Sequence, residues 1–183
     1  MKFLKQIITI TALIIFIIYG CWFWFEQNTH KTFIERKAKV DFLWNEFVSE
    51  LENRDKYFIV VRKKENLDSI RHFIAISKNE RSKDENTFKI LQNEYRVNKS
   101  MMHYYPNEDI WQIYNELNKK REKYNDAVKA FNSFYHLFPN FIVARKYNLK
   151  TLKRFDLNYG AKNIDPVIKS KKLPEWAEGI DTL

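Results

Sequence analysis

Residues 110–138, IWQIYNELNKKREKYNDAVKAFNSFYHLF, decide the fold. Within them Ile110, Tyr114, Leu117, Arg121, Tyr124, Val128, Phe131, Tyr135 and Phe138 follow one another at steps alternating four and three. That spacing places all of them on one seam of an α-helix, the seam by which helices pack nearly parallel to a neighbour. Upstream, Val40, Trp44, Phe47, Leu51, Arg54, Phe58 and Val61 repeat the alternation, with Phe33 in the same phase. A second long amphipathic helix is therefore predicted. Between the two, Leu67, Ile70, Ile74, Phe88, Leu91, Tyr95 and Met102 keep the phase, but residues 77–86, SKNERSKDEN, hold no apolar side chain. This middle reads either as one long helix with a polar centre or as two helices with a loop there. Pro106, followed by Asn107, Glu108 and Asp109, marks a turn and a helix start, and Pro139-Asn140 a helix end.

The rest of the body is expected to be helical too. Three Gly and four Pro in 183 residues are too few for the turns that many short strands need. The predicted class is all-α: a bundle of long helices occupying residues 26–157. A shorter basic helix over residues 141–156 should fold back on it. Gly160, Pro166 and Pro174 mark a loosely structured tail over residues 158–183.

Ahead of the bundle, residues 6–25 carry no charge and are framed by Lys2 and Lys5 on one side and Glu26 on the other. As a helix they rise roughly 30 Å, the thickness of a bilayer's hydrocarbon core. Trp22 and Trp24 stand where an interfacial aromatic belt belongs. Residues 1–25 thus read as a single-pass transmembrane anchor. A cleaved secretory signal would begin in the same way, yet no small-x-small cleavage site follows. Ile18-Tyr19-Gly20-Cys21 approaches a lipoprotein acylation site at Cys21, against which the bulk of Tyr19 and of the aromatics after the cysteine argues. Lysine and arginine counts beside the span favour a cytoplasmic bundle, whereas acylation at Cys21 would put it outside.

Charge is even from Glu26 to Asn118, while residues 119–172 hold fourteen basic side chains against four acidic ones. On an anchored protein such a stretch suits anionic lipid or an acidic protein partner, or is a solvated face. Nucleic acid is disfavoured, since no zinc finger, ribonucleoprotein motif or zipper-linked basic region accompanies it. Catalytic motifs are missing as well. None of His30, His72, His103 and His136 has a Glu three positions before it, which a bundle di-iron site would need. There is no H-E-x-x-H, no nucleophile elbow and no glycine-rich phosphate loop. A single cysteine excludes a disulfide framework. Neither a cofactor nor a metal is expected.

Two segments resemble a known family. Val40-Asp41-Phe42-Leu43-Trp44-Asn45-Glu46-Phe47, with Leu51 and Arg54 beyond, resembles the first signature of the bacterial LemA family, V-D-x-A-W-x-x-I followed by L and R. Arg121-x-x-Tyr124-Asn125-Asp126-Ala127-Val128, then Phe131-Asn132 and Phe138-Pro139, resembles the second, R-x-x-Y-N-x-x-V-x-x-[YF]-N ending in F-P. The likeness runs from the start of the chain to about Phe155. Ile59-Val60 stand where the family has Pro-Asn, and its middle-helix motif is not recognisable here. The resemblance implies an antiparallel four-helix bundle on one membrane helix, in a family without an established activity.

Polar groups in the seams carry the remaining expectations. Arg54 and Arg121 must either reach solvent along their stems or find a carboxylate or carbonyl, and Asp41 and Asp126 are the acids expected to meet them. Asn125 and Asn132, seven apart, could hydrogen-bond between helices and fix register. Trp44 and Phe131 should lie inside. If residues 26–64 climb away from the membrane and residues 67–102 return, the turn at Met101–Pro106 comes back to the bilayer surface and Pro139 lies at the far end. In function the chain reads as a non-catalytic, membrane-anchored interaction or scaffold protein; the alternative is an accessory subunit of a membrane enzyme or protease, and a free-standing enzyme comes third.

Overall fold

The computed structural model describes residues 2–60, 68–82, 87–103 and 108–172. Among these residues there are six helices and no strand: α1 (Lys2–Val60), α2 (Asp68–Ser82), α3 (Thr87–His103), α4 (Glu108–His136), α5 (Asn140–Lys146) and α6 (Pro166–Lys172). The all-α bundle predicted from the seam spacing is the observed architecture.

Helix α1 has 59 residues and no proline, so nothing in it removes a backbone hydrogen bond, and it extends about 88 Å. Its two parts have different surroundings. From Lys2 to Trp24 every side chain is exposed, although most are Ile, Leu, Phe or Trp. From Glu26 onward one stripe turns inward, and Phe33, Val40, Phe47, Leu51 and Phe58 are buried. That stripe packs on α4, whose Ile110, Tyr114, Leu117, Tyr124, Val128 and Phe131 are buried in return.

Cross-contacts fix the direction of α4. The Tyr57 hydroxyl donates to Asp109 at 3.3 Å, Lys120 to Glu46 at 2.9 Å, the Trp44 ring lies 5.1 Å from Tyr124, and Phe33 lies 5.7 Å from Phe131. The two helices are antiparallel, and α4 descends toward the apolar end of α1. Trp44 departs from expectation in being only half-buried: it seals the edge of the seam against Phe47, Tyr124 and Phe155.

The middle of the chain forms two helices. Helices α2 and α3 pack on one another as a hairpin whose connection, residues 83–86, lies outside the described residues. Ile70 and Ile74 of α2 meet Ile90, Val97 and Met101 of α3 in the core. The polar stretch after Ile76 has too little apolar surface to line a third long helix, and among its described side chains Ser77 and Arg81 are the buried ones.

A folded-over middle reverses the predicted polarity. Helices α2 and α3 run against one another and cancel, so the chain enters α4 far from the span: Asp109 meets Tyr57, roughly 46 Å along α1 from Glu26. Pro139, predicted for the far end, comes down beside the apolar segment instead. Tyr104, Tyr105 and Pro106 of the predicted turn lie outside the described residues.

The basic helix also ends early. Tyr147 and Asn148 donate their N–H groups to Val143 and Arg145, each at 3.1 Å, and Asn148 takes φ 53. From there residues 149–158 run as an irregular strap, without a helix, up the groove between α1 and α4. Part of the segment expected to be loose is packed: Tyr159 is buried in the core, and α6 rests on α3.

Candidate functional site

The polar side chains that stand out are those that hold the strap. Asn132, Asn125 and Asn118 lie seven residues apart on α4, and each grips one strap residue by both backbone groups. Asn132 accepts from the Leu152 N–H and donates to the Leu152 carbonyl, both at 2.9 Å. Asn125 does the same with Phe155, at 2.8 and 3.1 Å, and Asn118 with Tyr159, at 2.9 and 3.0 Å. Two heptads of helix rise about 21 Å, and the seven residues from Leu152 to Tyr159 span about 23 Å when extended. One asparagine per heptad therefore keeps pace with the strap.

At the top Asn98 of α3 continues the ladder, accepting from the Gly160 N–H at 2.9 Å and donating to the carbonyls of Ala161 and Asn158. The Tyr124 hydroxyl donates to the Lys153 carbonyl at 2.9 Å. An extended segment without a neighbouring strand needs such partners for its buried backbone groups.

Directly beneath Tyr159 lies a closed cluster of charge. Arg54, fully buried, donates to Glu94 at 2.6 Å and to Asp55 at 2.7 Å. Arg81 of α2 bridges the same two carboxylates, Ser77 donates to Glu94, and the Tyr159 hydroxyl donates to Glu94 at 3.2 Å. Two guanidinium groups thus balance two carboxylates, and α1, α2, α3 and the strap are joined at one point. Burial by itself would raise the Glu94 carboxyl, but the Arg54 and Arg81 charges outweigh it and hold it below its ordinary value. Burial would likewise lower Arg54, and Glu94 and Asp55 raise it above its ordinary value instead. The Tyr159 hydroxyl is pushed well up by burial and by the Glu94 charge. Tyr114, under Gly160, is raised by burial to about 12, and its hydroxyl has no partner among the described residues.

Chemically, the cluster is saturated. Each carboxylate is neutralised by two arginines, and the two hydroxyls within it, those of Ser77 and Tyr159, are both tied to Glu94 as donors. No group of three metal-ligating side chains occurs among the described residues.

The residues singled out in the sequence fall into three groups. Val40, Phe47, Leu51, Val128 and Phe131 are core residues, with Trp44 at the edge. Arg54 and Arg121 are buried, but neither meets the acid expected of it. Arg54 finds Asp55 and Glu94, while Arg121 donates to the Leu157 carbonyl at 2.6 Å and to the Asn158 side chain. Asp41 is exposed and paired with Lys37, and Asp126 lines an open groove of about 530 Å³ between α4 and the strap. Asn125 and Asn132 do fix register, but that of an extended strap rather than of a helix. Phe138 is exposed, and Pro139 is the residue before α5.

Glu94, Arg81, Asn118 and Asn98 were missed. Asn118 was visible as the third member of the heptad series, and the alternation of Phe155, Leu157 and Tyr159 with Asp156 and Asn158 marks an extended segment with one buried face.

The sequence profile described as the LemA family matches residues 25–169. The chain belongs to the LemA family. No curated protein and no solved structure matches it. The LemA match passes the end of the signature at Phe138-Pro139 and takes in the whole strap and part of α6. In this LemA protein the second signature thus supplies the ladder, through Asn125, Asn132 and Tyr124, as well as a packing face.

Proposed function

We propose that this LemA protein is a scaffold anchored by α1 in the bacterial cytoplasmic membrane, without catalysis of its own, and that it recruits a protein partner through the outer faces of its bundle. One observation carries the reading: α1 passes without a break from a fully exposed apolar segment of bilayer length into the buried seam of the bundle. An anchor continuous with the domain holds that domain at a set height and angle, which suits assembly at a surface. Retention of the segment is further supported by Glu26, the residue after the span, which is tied to Lys146 at 2.5 Å and to Tyr147 at 3.0 Å. The buried polar groups of the ladder and the cluster are used up within the fold, so recognition falls to the surface. There Lys119, Lys123, Lys129, Lys153 and Arg154 offer positive charge to an acidic partner or anionic lipid. The count of basic residues beside the span favours a bundle on the cytoplasmic side.

Affinity purification of the full chain from detergent-solubilised native membranes tests this. Several protein partners without a shared enzyme are expected. One stoichiometric enzyme would favour the accessory-subunit reading, and substrate turnover by the purified chain alone would overturn the claim of no catalysis. A reporter fused after Leu183 and scored for cytoplasmic activity checks the side.

A further inference from the structure

The connection between α4 and α5 exposes apolar side chains at an unusual place. Leu137 and Phe138 are 57% and 79% exposed, and Ile142 on the first turn of α5 is 39% exposed. Most of the preceding seam of α4 is buried, so the pattern changes abruptly where the helix ends. Among the described residues the other large apolar side chains on the bundle surface stand apart along α1, α3 and α4, except for Ile164, Val167 and Ile168 around α6, which packs on α3 toward the opposite end.

The location is set by contacts. Phe134 and Tyr135 pack on Phe33, so three further residues of descent bring Phe138 level with about residue 30 of α1. Beyond the turn Tyr147 stacks on His30 at 3.8 Å, and Lys146 reaches Glu26 at 2.5 Å. The apolar span ends at Phe25. Phe138 therefore sits roughly 7 Å above the last span residue, within the depth of a headgroup layer. Charge fits the same surface: Arg145, Lys146 and Lys150 are exposed around α5, and the Arg145 guanidinium lies 5.4 Å over the Phe141 ring.

We infer that the α4–α5 turn is a second membrane contact, with Leu137, Phe138 and Ile142 entering the boundary between headgroups and acyl chains and Arg145 and Lys146 lying among the lipid phosphates. The occupant of this patch is the bilayer that α1 crosses, so the inference rests on the anchor reading above. Apolar side chains flanked by basic ones are what an interfacial element presents to lipid. A second point of attachment, off the axis of α1, stops the bundle from rotating freely about its anchor.

The test uses the full chain with Cys21→Ala, reconstituted into vesicles of mixed phosphatidylcholine and phosphatidylglycerol. Single cysteines Phe138→Cys, Trp24→Cys and Glu108→Cys carry an environment-sensitive dye, and lipids brominated on their acyl chains quench it. Loss of fluorescence at positions 24 and 138 but not at 108 is expected. Quenching at 24 alone overturns the second contact while leaving the anchor intact. No quenching at 24 overturns the anchor, and this inference with it. Shielding of position 138 from an aqueous quencher without quenching by lipid would mean that protein covers the patch, which also overturns the proposal. Should Phe138→Cys fail to fold, the exposed Leu137→Cys replaces it.

Discussion

Asn125 engages both ends of its amide with Phe155, and a carboxylate in its place could keep only one of them. Asn125→Asp still accepts from the Phe155 N–H but repels the carbonyl that the amide now serves at 3.1 Å. A buried carbonyl left without its donor costs about 1–3 kcal/mol, so the midpoint of urea unfolding should fall accordingly. Unchanged stability would mean that water replaces the amide without loss. Glu94 makes a prediction in pH. Its folded-state value lies below the ordinary 4.5, so its contribution is fully present above that value and is lost as pH falls through the folded value. Stability followed from neutral pH downward should decline below pH 4.5, and Glu94→Gln should be less stable at neutral pH and flatter in the acid range. The seam position of Arg54 was legible from its spacing. Its partner was not, because Glu94 lies forty positions away in a segment whose polar residues leave the inward face unassigned.

At the scale of elements, periodicity was decisive where a helix has a long apolar seam and weak where a segment is held by other means. Helix α4 was readable from end to end, since eight seam positions from Ile110 to Tyr135 repeat in it without a break, whereas the ninth, Phe138, lies past its end and is exposed. The strap was not, because its hydrogen bonds go to asparagines in a distant helix, and the basic residues between its apolar ones suggested a helix face. Its upper end depends on Gly160, which has φ +73 and whose missing Cβ would stand 2.6 Å from Tyr114 Cδ2 and 3.3 Å from Trp111 Cζ3. Both the backbone conformation and the space require glycine there. Gly160→Ala should therefore lift the strap from Asn98 and speed amide exchange at Gly160 and Tyr159, with α1 and α4 near Phe33 and Phe131 less affected. Equal protection in the variant would show that the Tyr114 ring can move aside.

At the scale of the molecule, the error in predicted polarity came from treating residues 67–102 as one descending leg, when a hairpin contributes almost no net descent. The observed path has a consequence for what constitutes the fold. Between α1 and α4 the third layer is the strap, which inserts Phe155, Leu157 and Tyr159 beside Phe47, Leu51 and Leu117. Burying three such side chains contributes roughly 1.5–3 kcal/mol each, so together they are comparable with the whole stability of an ordinary domain, about 5–15 kcal/mol. The same segment also supplies the partners of Asn118, Asn125 and Asn132 and one hydrogen bond to Glu94. A chain stopped after Tyr147 keeps α1 through α5 yet leaves an apolar groove, two buried amides and the half-buried Asn118 open to water. In detergent its far-ultraviolet helix signal should largely persist, because α1 is long and its apolar part is covered by the micelle. Its near-ultraviolet signal from Trp44 and the seam tyrosines should weaken, and thermal unfolding should become shallow rather than cooperative. If the shortened chain instead melts as sharply as the full one, α1 to α4 form a complete core alone, and the ladder only ties down a surface segment.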